Sequence, residues 1–278
     1  MEMSLLAVTA IPIPAAGELT DEPTEHQSAS LHIRDICVTV HDREVLKNVT
    51  TDVHDRKILA VIGPSGSGKS TLMRAINRTL EIIPGARVTS GHIMFRRKNL
   101  CCPTVDQRQV RKLVGMVQQK PVAFPMSIRE NVLFGARFHS KMNRAAAEEV
   151  VETALQQSGL WHEVKDRLHD SASRLSIGQM QRLCIARTLA NRPEVLLMDE
   201  PCSALDPIST GKIEELIMSL KQKLPVVIVT HNLAQARRIS DYCLFLSDGA
   251  VIEQGPTEQI FCAPQQQQVH DFVSGKVG

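Results

Sequence analysis

Gly63-Pro64-Ser65-Gly66-Ser67-Gly68-Lys69-Ser70 stands between an apolar run, Lys57 to Ile62 (KILAVI), and a stretch that reads as helix from Ser70 to about Leu80. The spacing fits G-x-x-x-x-G-K-[ST], and a strand before it with a helix after it is the setting that the motif's chemistry requires. Glycines let backbone N–H groups converge on phosphate oxygens, where a side chain would block the approach. The helix N-terminus adds partial positive charge, Lys69 is placed to neutralise the β- and γ-phosphates, and Ser70 to ligate Mg²⁺. Gly63, Pro64, Ser65, Gly66, Ser67, Gly68, Lys69, Ser70 and Thr71 are therefore the expected binding loop of a nucleoside triphosphate.

Working outward, Val195-Leu196-Leu197-Met198-Asp199-Glu200 is an apolar strand that delivers two carboxylates at its C-terminal end. Ligands of parallel sheets bind at that end, which points Asp199 at the metal held by Ser70 and leaves Glu200 to polarise a water in line with the γ-phosphate. Gln119 and His231 each follow an apolar strand in the same way, Gln119 within reach of metal and water and His231 of the γ-phosphate. Alone, either residue reads first as structural, and its role needs outside support.

Further strands are expected at Leu31 to Val40, Leu113 to Val117, Val226 to Val229 and Tyr242 to Leu246, with a hairpin through Ser247-Asp248-Gly249-Ala250. Arg87 to Leu113 reads as turn-rich, with a short hairpin around Gly91. From Ile128 to about Leu189 the pattern is mostly helical, with Asn143 as a helix N-cap and Gly159 as a stop. Helices at Ser209 to Leu220 and Leu233 to Ile239 complete an alternating β/α pattern, and Gln265 to Gln268 reads as a solvated connector. The fold class is α/β, a mainly parallel sheet covered on both faces. The helical block from about residue 122 to 190 is too long for a crossover and is read as an inserted subdomain.

The 278 residues carry 32 Lys+Arg against 30 Asp+Glu, a net charge of +2, and are 43% hydrophobic. That is a globular balance, and it argues against a nonspecific nucleic-acid binder, as do the single Trp, single Tyr and seven Phe. Seven cysteines with no C-x-x-C pair point to reduced thiols rather than a disulfide frame or zinc site. No apolar run approaches the roughly 18–20 residues that cross a bilayer. Residues 1–30 lack the basic start of a signal peptide and are expected to be a flexible leader to a domain at 31–278.

Leu175-Ser176-Ile177-Gly178-Gln179 lies some twenty residues before Asp199, and Ser203-Ala204-Leu205-Asp206 follows the acidic pair. In this order, Gly63–Ser70, Gln119, Leu175–Gln179, Val195–Glu200, Ser203–Asp206 and His231 resemble the Walker A, Q-loop, signature, Walker B, D-loop and H-loop of ABC-transporter ATPases. The resemblance implies a P-loop NTPase fold with an antiparallel β part beside the core sheet, ATP and Mg²⁺ as cofactors, and Ser70, Gln119 and Asp199 about the metal. It implies Glu200, His231 and Gln119 as the catalytic set. It also implies a head-to-tail homodimer in which Ser176, Gly178 and Gln179 act on the partner's ATP, with Asp206 in the D-loop. Several stretches, Phe124-Pro125-Met126-Ser127-Ile128 and Pro201-Cys202-Ser203-Ala204-Leu205-Asp206-Pro207-Ile208-Ser209-Thr210 among them, are similar to the ATP-binding subunits of phosphate importers. That implies a motor at the cytoplasmic face of the inner membrane, peripheral, working with two membrane-spanning permease subunits and an extracytoplasmic phosphate-binding protein, with the segment at Phe124–Ile128 receiving the permease. An importer of another small polar solute is the alternative, and a soluble ABC ATPase of translation or repair or a nucleotide kinase fits less well. Three positions depart from the pattern. Ile177 replaces a signature glycine, where it is expected to slow turnover by crowding or by resisting an unusual backbone angle. Val40, next to His41, stands where an aromatic residue stacks on adenine, and Gln118 replaces a Phe.

Overall fold

Leu31, Ile33, Ile36 and Val38 are fully buried, so the first strand turns an apolar row inward with one slip of its two-residue period. The computed structural model describes residues 29–139 and 141–276; the expected leader lies, up to residue 28, outside the described residues. Strand β1 (Ala29–Val40) pairs antiparallel with β2 (Arg43–His54). The sequence pattern misses β2, and the reason is a pair of bulges. Asp35 and Asn48 take φ of 50° at the register shifts, which moves the inward row of β2 from Leu46 to Val49 and breaks the alternation.

After the buried β3 (Ile58–Ile62) comes α1 (Lys69–Ile76), four residues shorter than the expected end at Leu80. Arg78 stops it: its backbone enters the left-handed region at φ 55°, and its buried guanidinium donates to the carbonyls of Leu100, Cys102 and Val105 and to Glu81. The hairpin expected around Gly91 is also corrected. Gly91 sits inside β4 (Ala86–Phe95), at φ 84°, because a Cβ there would lie 2.3 Å from the Asp35 carbonyl oxygen. The glycine serves a close approach to β1, and the turn falls instead at Arg96, before β5 (Lys98–Asn99). A short polar helix that sequence reading left as turn, α2 (Gln107–Leu113), is capped by Asp106 and buries only Val110.

Strand β6 (Val114–Val117) leads into α3 (Ile128–His139), α4 (Arg144–Gln157), α5 (Trp161–Val164) and α6 (Ile177–Leu189). These helices pack about their own apolar cluster, which includes Val132, Leu133, Val151, Leu155 and Leu183. Asn143 caps α4 by accepting from the Ala146 amide, and Gly159 ends that stretch at φ 66°. The chain returns through β7 (Val195–Asp199), α7 (Pro207–Leu220), β8 (Val226–Val229), α8 (Leu233–Ile239), β9 (Tyr242–Ser247), β10 (Ala250–Pro256), α9 (Thr257–Cys262) and α10 (Gln267–Val273). The glutamine run is no free connector. Gln267 opens α10, the Gln265 and Gln266 amides donate to Glu253, and Gln268 donates to the Ser247 hydroxyl.

One sheet runs β2-β1-β4-β5, all antiparallel; the other runs β10-β9-β3-β8-β7-β6, parallel except for β10 at the edge. The parallel strands read as unbroken apolar runs because both faces are covered. One face shares a core with the antiparallel sheet through Leu59, Val61, Leu197 and Val229; the other packs Ile62, Met198, Ile228 and Phe245 against Ile217, Ala236 and Ile260. Burial of each such side chain contributes about 1.5–3 kcal/mol over leaving it in water. Among the described residues, no helix is long and apolar enough to cross a membrane. Replacing Arg78 with Met keeps the apolar stem but removes the donor of three carbonyls, that of Leu100 buried and those of Cys102 and Val105 partly so. It should cost about 2–4 kcal/mol of stability, read from the urea midpoint; a loss below about 0.5 kcal/mol would mean that the carbonyls find other donors.

Candidate active site

The register of the core sheet brings its strand ends to one level. Val117 pairs with Met198, and both Asp199 and Val61 pair with Val229. Everything that follows these strands therefore meets at one edge, the ligand edge of a parallel sheet. Gly63 leaves β3 there, Asp199 closes β7, His231 lies two residues beyond β8, and Gln119 two residues beyond the end of β6.

The loop at Gly63–Ser70 is shaped by contacts that side chains would prevent. A Cβ on Gly63, at φ 143°, would lie 2.0 Å from the Leu246 carbonyl oxygen, and one on Gly68, at φ 104°, 2.7 Å from Leu46 Cδ2. The Gly249 amide fixes the loop by donating to the Ser67 carbonyl at 3.1 Å. Lys69 is buried, and its Nζ donates to the carbonyls of Gly63 at 2.8 Å and Pro64 at 2.7 Å. Ser65, Gly66, Gly68, Lys69, Ser70 and Thr71 line a cleft of about 520 Å³. Gln119, Glu200 and His231 line the same cleft, as does Val45, which sequence reading missed because it belongs to the bulged β2. Pro64 and Ser67 form the loop behind it.

The two carboxylates differ as their neighbours dictate. Asp199 is buried and accepts from Ser70 Oγ at 3.2 Å. Burial raises its pKa above the usual range, the Glu200 charge adds to that, and the Ser70 bond, Arg74 and Lys69 oppose it. Burial also lowers the Lys69 pKa, against the pull of Glu200 and Asp199. Glu200 steps out of the strand at φ 47°, an unusual backbone for a residue with a side chain, while its amide stays bonded to the Val229 carbonyl at 2.8 Å. Its Oε2 accepts from Gln119 Nε2 at 2.7 Å and lies 3.0 Å from His231 Nδ1, a contact in which Nδ1 carries the hydrogen. Its Oε1 has no hydrogen-bond partner among the described residues. Ser70 and Asp199, in contact with each other, and Gln119 on the cleft wall offer a hydroxyl, a carboxylate and an amide oxygen, a donor chemistry of the type that suits Mg²⁺.

Other expected site residues lie elsewhere. Ser176, Gly178 and Gln179 open α6 and do not line this cleft. Ser176 and Gln179 form a reciprocal capping box, and Gln179 Nε2 also donates to Glu163, which pairs with Arg182. Asp206 caps α7, and the Ser209 hydroxyl bond holds its carboxyl below the usual range. Gly178 faces the same helix, since a Cβ there would lie 3.0 Å from Ser209 Oγ. Ile177 is 56% exposed at the first helical position, and its φ is not positive, so the expectation of a strained angle does not hold, which leaves either crowding or a side chain that points clear of the nucleotide. Val40 ends β1, and His41 turns over Gly85. At the other end of the Gln119 loop, Arg187 stacks on Phe124 at 4.2 Å from the ring centroid. The fully buried Asn131 donates to the carbonyls of Phe124, Met126 and Ser127 and accepts from the Phe124 amide and Arg187. No sequence signal marked Asn131. Gln118, Phe124, Phe134 and Arg187 line a groove beside this knot.

Asp199→Asn should raise the denaturation midpoint of the free protein at neutral pH, because it removes a charge that burial disfavours. The folded pKa of Asp199 is the raised one, so the ionised group costs stability above that pKa. The gap from the parent protein should close as pH falls below the unfolded carboxylate value, where Asp199 is neutral in both states. An Asn variant less stable than the parent at neutral pH would overturn this account.

Residues 46–203 match the sequence profile of the ABC transporter family. The chain is 46% identical over 272 residues to the phosphate import ATP-binding protein PstB 2 of Shouchella clausii (strain KSM-K16), covering 98% of this chain and all of that one. It also resembles the structure of cbiO1 from Clostridium perfringens, part of the ABC transporter complex cbiONQ, with a TM-score of 0.74, 28% identity, and coverage of 84% of this chain and 91% of that one. The ATP-binding cassette MJ0796, in a dimeric post-hydrolysis state bound to ADP and Pi, matches with a TM-score of 0.69 and 26% identity over 82% of this chain and 98% of the other. Loop, carboxylates, sheet order and end-to-end likeness agree: the chain belongs to the ABC transporter family, as an ATP-hydrolysing subunit.

Proposed function

We propose that this chain drives the import of inorganic phosphate, as one of two identical ATPase subunits docked on a pair of membrane-spanning permease subunits. The substrate rests on one observation, the end-to-end 46% identity to a phosphate import ATP-binding protein. Gly63–Thr71 bind ATP, with Lys69 turning from the loop carbonyls to the phosphates. Mg²⁺, held by Ser70, Gln119 and Asp199, supplies charge neutralisation at the β- and γ-phosphates when bound. Glu200 Oε1 accepts the hydrogen bond of the attacking water, while Gln119 and His231 fix the carboxylate through Oε2 and leave it one free oxygen. His231 also reaches the γ-phosphate. Ser176, Gly178 and Gln179 meet the partner's ATP in the closed dimer, with Asp206 beside them. This arrangement explains why they stand outside their own cleft. Residues 122–190 form the arm that carries them, within a domain at 31–278, and Phe124–Ile128 with the adjacent helices receives the permease. A phosphate-binding protein outside the membrane delivers the substrate, and the subunit stays peripheral at the cytoplasmic face of the inner membrane.

Reconstitution with candidate permeases and binding proteins tests the substrate: phosphate should stimulate ATPase activity, and stimulation by another solute alone would reassign the importer. Glu200→Gln should abolish steady-state hydrolysis, retain ATP binding and accumulate the closed dimer; a variant hydrolysing at half the parent rate would remove Glu200 from its role. Ile177→Gly should raise kcat several-fold in the assembled complex with little change in ATP affinity of the single subunit, since about 1.4 kcal/mol of relieved crowding is tenfold in rate. An unchanged or lower kcat would mean that Ile177 points clear of the nucleotide.

A further inference from the structure

Charge is distributed very unevenly along this chain. Residues 96–144 hold eleven Lys or Arg (Arg96, Arg97, Lys98, Arg108, Arg111, Lys112, Lys120, Arg129, Arg137, Lys141 and Arg144) and two acids, Asp106 and Glu130, a net +9. The whole chain is +2, so the remainder carries −7. Among the described residues, only Arg96 and Arg144 of these eleven cations form ion pairs, with Glu194 and Glu148. The fold gathers several of the others. Lys98, Lys112, His139 and Arg192 line one cavity of about 840 Å³ between α2, α3 and α4, whose acids are Glu149 and the already paired Glu194. Arg137 is exposed on the same stretch of α3. Beside them project Phe138, 76% exposed, and Phe134, edge-to-face with it at 5.4 Å between centroids. Helix α3 thus joins the two features: its Ala136 and His139 line the cationic cavity, and its Phe134 lines the Phe124–Arg187 groove together with Arg111.

We propose that this face binds the anionic headgroups of the membrane leaflet directly, alongside the permease. The orientation rests on the reading of the groove as the permease dock; the chemistry rests on the patch itself. Unpaired lysines and arginines close to an anionic leaflet are attracted over about a Debye length, roughly 10 Å at 0.1 M salt, and exposed aromatic rings suit the interface. A nucleic-acid partner is less favoured, since α2, though basic through Arg108, Arg111 and Lys112, is only seven residues long, and the two exposed phenylalanines make too short a row of rings to stack successive bases along a strand. Contact of this kind would hold the subunit near the membrane before it meets a permease and would set the tilt at which α3 arrives.

The test is flotation of the purified full chain with vesicles of phosphatidylcholine alone and of phosphatidylcholine with roughly a quarter phosphatidylglycerol. Retention on the anionic vesicles should exceed that on neutral ones at least about tenfold at low salt and fall away as salt rises to about 0.3 M. Lys98→Glu with Lys112→Glu and Lys141→Glu should remove it while leaving basal ATPase activity unchanged, and Phe138→Ser should weaken it. Equal retention on both vesicle types, or full retention by the triple variant, would overturn the proposal. Binding of single-stranded RNA without binding of anionic vesicles would overturn it in favour of a nucleic-acid surface. The two readings fail separately: vesicle binding needs no permease and no phosphate, and reconstituted transport by the triple variant would leave the importer intact with the lipid contact gone.

Discussion

Gly63 can stand where it does only because it has no side chain. Its Cα faces the Leu246 carbonyl so closely that a methyl group would overlap it, and Gly68 is pressed in the same way on Leu46. The loop at Gly63–Ser70 is thus clamped between the antiparallel sheet and the last parallel strand, and the Gly249–Ser67 bond closes the clamp. Tight backbone packing there lets the loop hold its shape with a buried lysine inside it. The rest of the site depends on that shape, because Asp199 is reached through Ser70 and Glu200 faces the loop across the cleft.

Charges within the cleft are arranged by burial more than by pairing. Asp199 and Lys69 are both displaced from their ordinary ionisation toward neutrality, each mainly by loss of water and each partly restored by the other. Such a site is uncomfortable by itself; in the function proposed above, negative phosphate and a divalent cation entering together would balance it. Glu200 is treated differently. Its unusual backbone angle turns the carboxylate away from Asp199 and toward two polar side chains, so neighbouring acids in the sequence have separate surroundings in space.

Much of this was legible in the sequence, for identifiable reasons. Short, fully apolar strands such as Val226–Val229 and the capped helix Leu233–Ile239 read true because pattern and environment agree. Strand β2 did not, because bulges at Asp35 and Asn48 shift its inward row. Gly91 looked like a turn and is a point of contact between strands; the glutamine run looked solvated and is tied to Glu253 and Ser247. The loop and the acidic strand announce their chemistry locally. Gln119 and Glu200, 81 positions apart, do not, and resemblance to a family was needed to bring them together before the fold did. Asn131 had no signal at all, since a buried asparagine satisfying three carbonyls looks in sequence like any polar helix residue.

That asparagine has a mechanical consequence. With Arg187 it welds the segment around Phe124 to α3, so the two travel as a unit. Between this weld, which begins at Val122 through its bond to Arg187, and Gln119 lie only Lys120 and Pro121. A chain link adds at most about 3.5 Å of reach per residue, and proline gives up part of its freedom to straighten. The tether therefore has little slack. A helical arm that swings by more than a few ångströms must draw Gln119 off Glu200, and the carboxylate then loses one of the two groups that aim it.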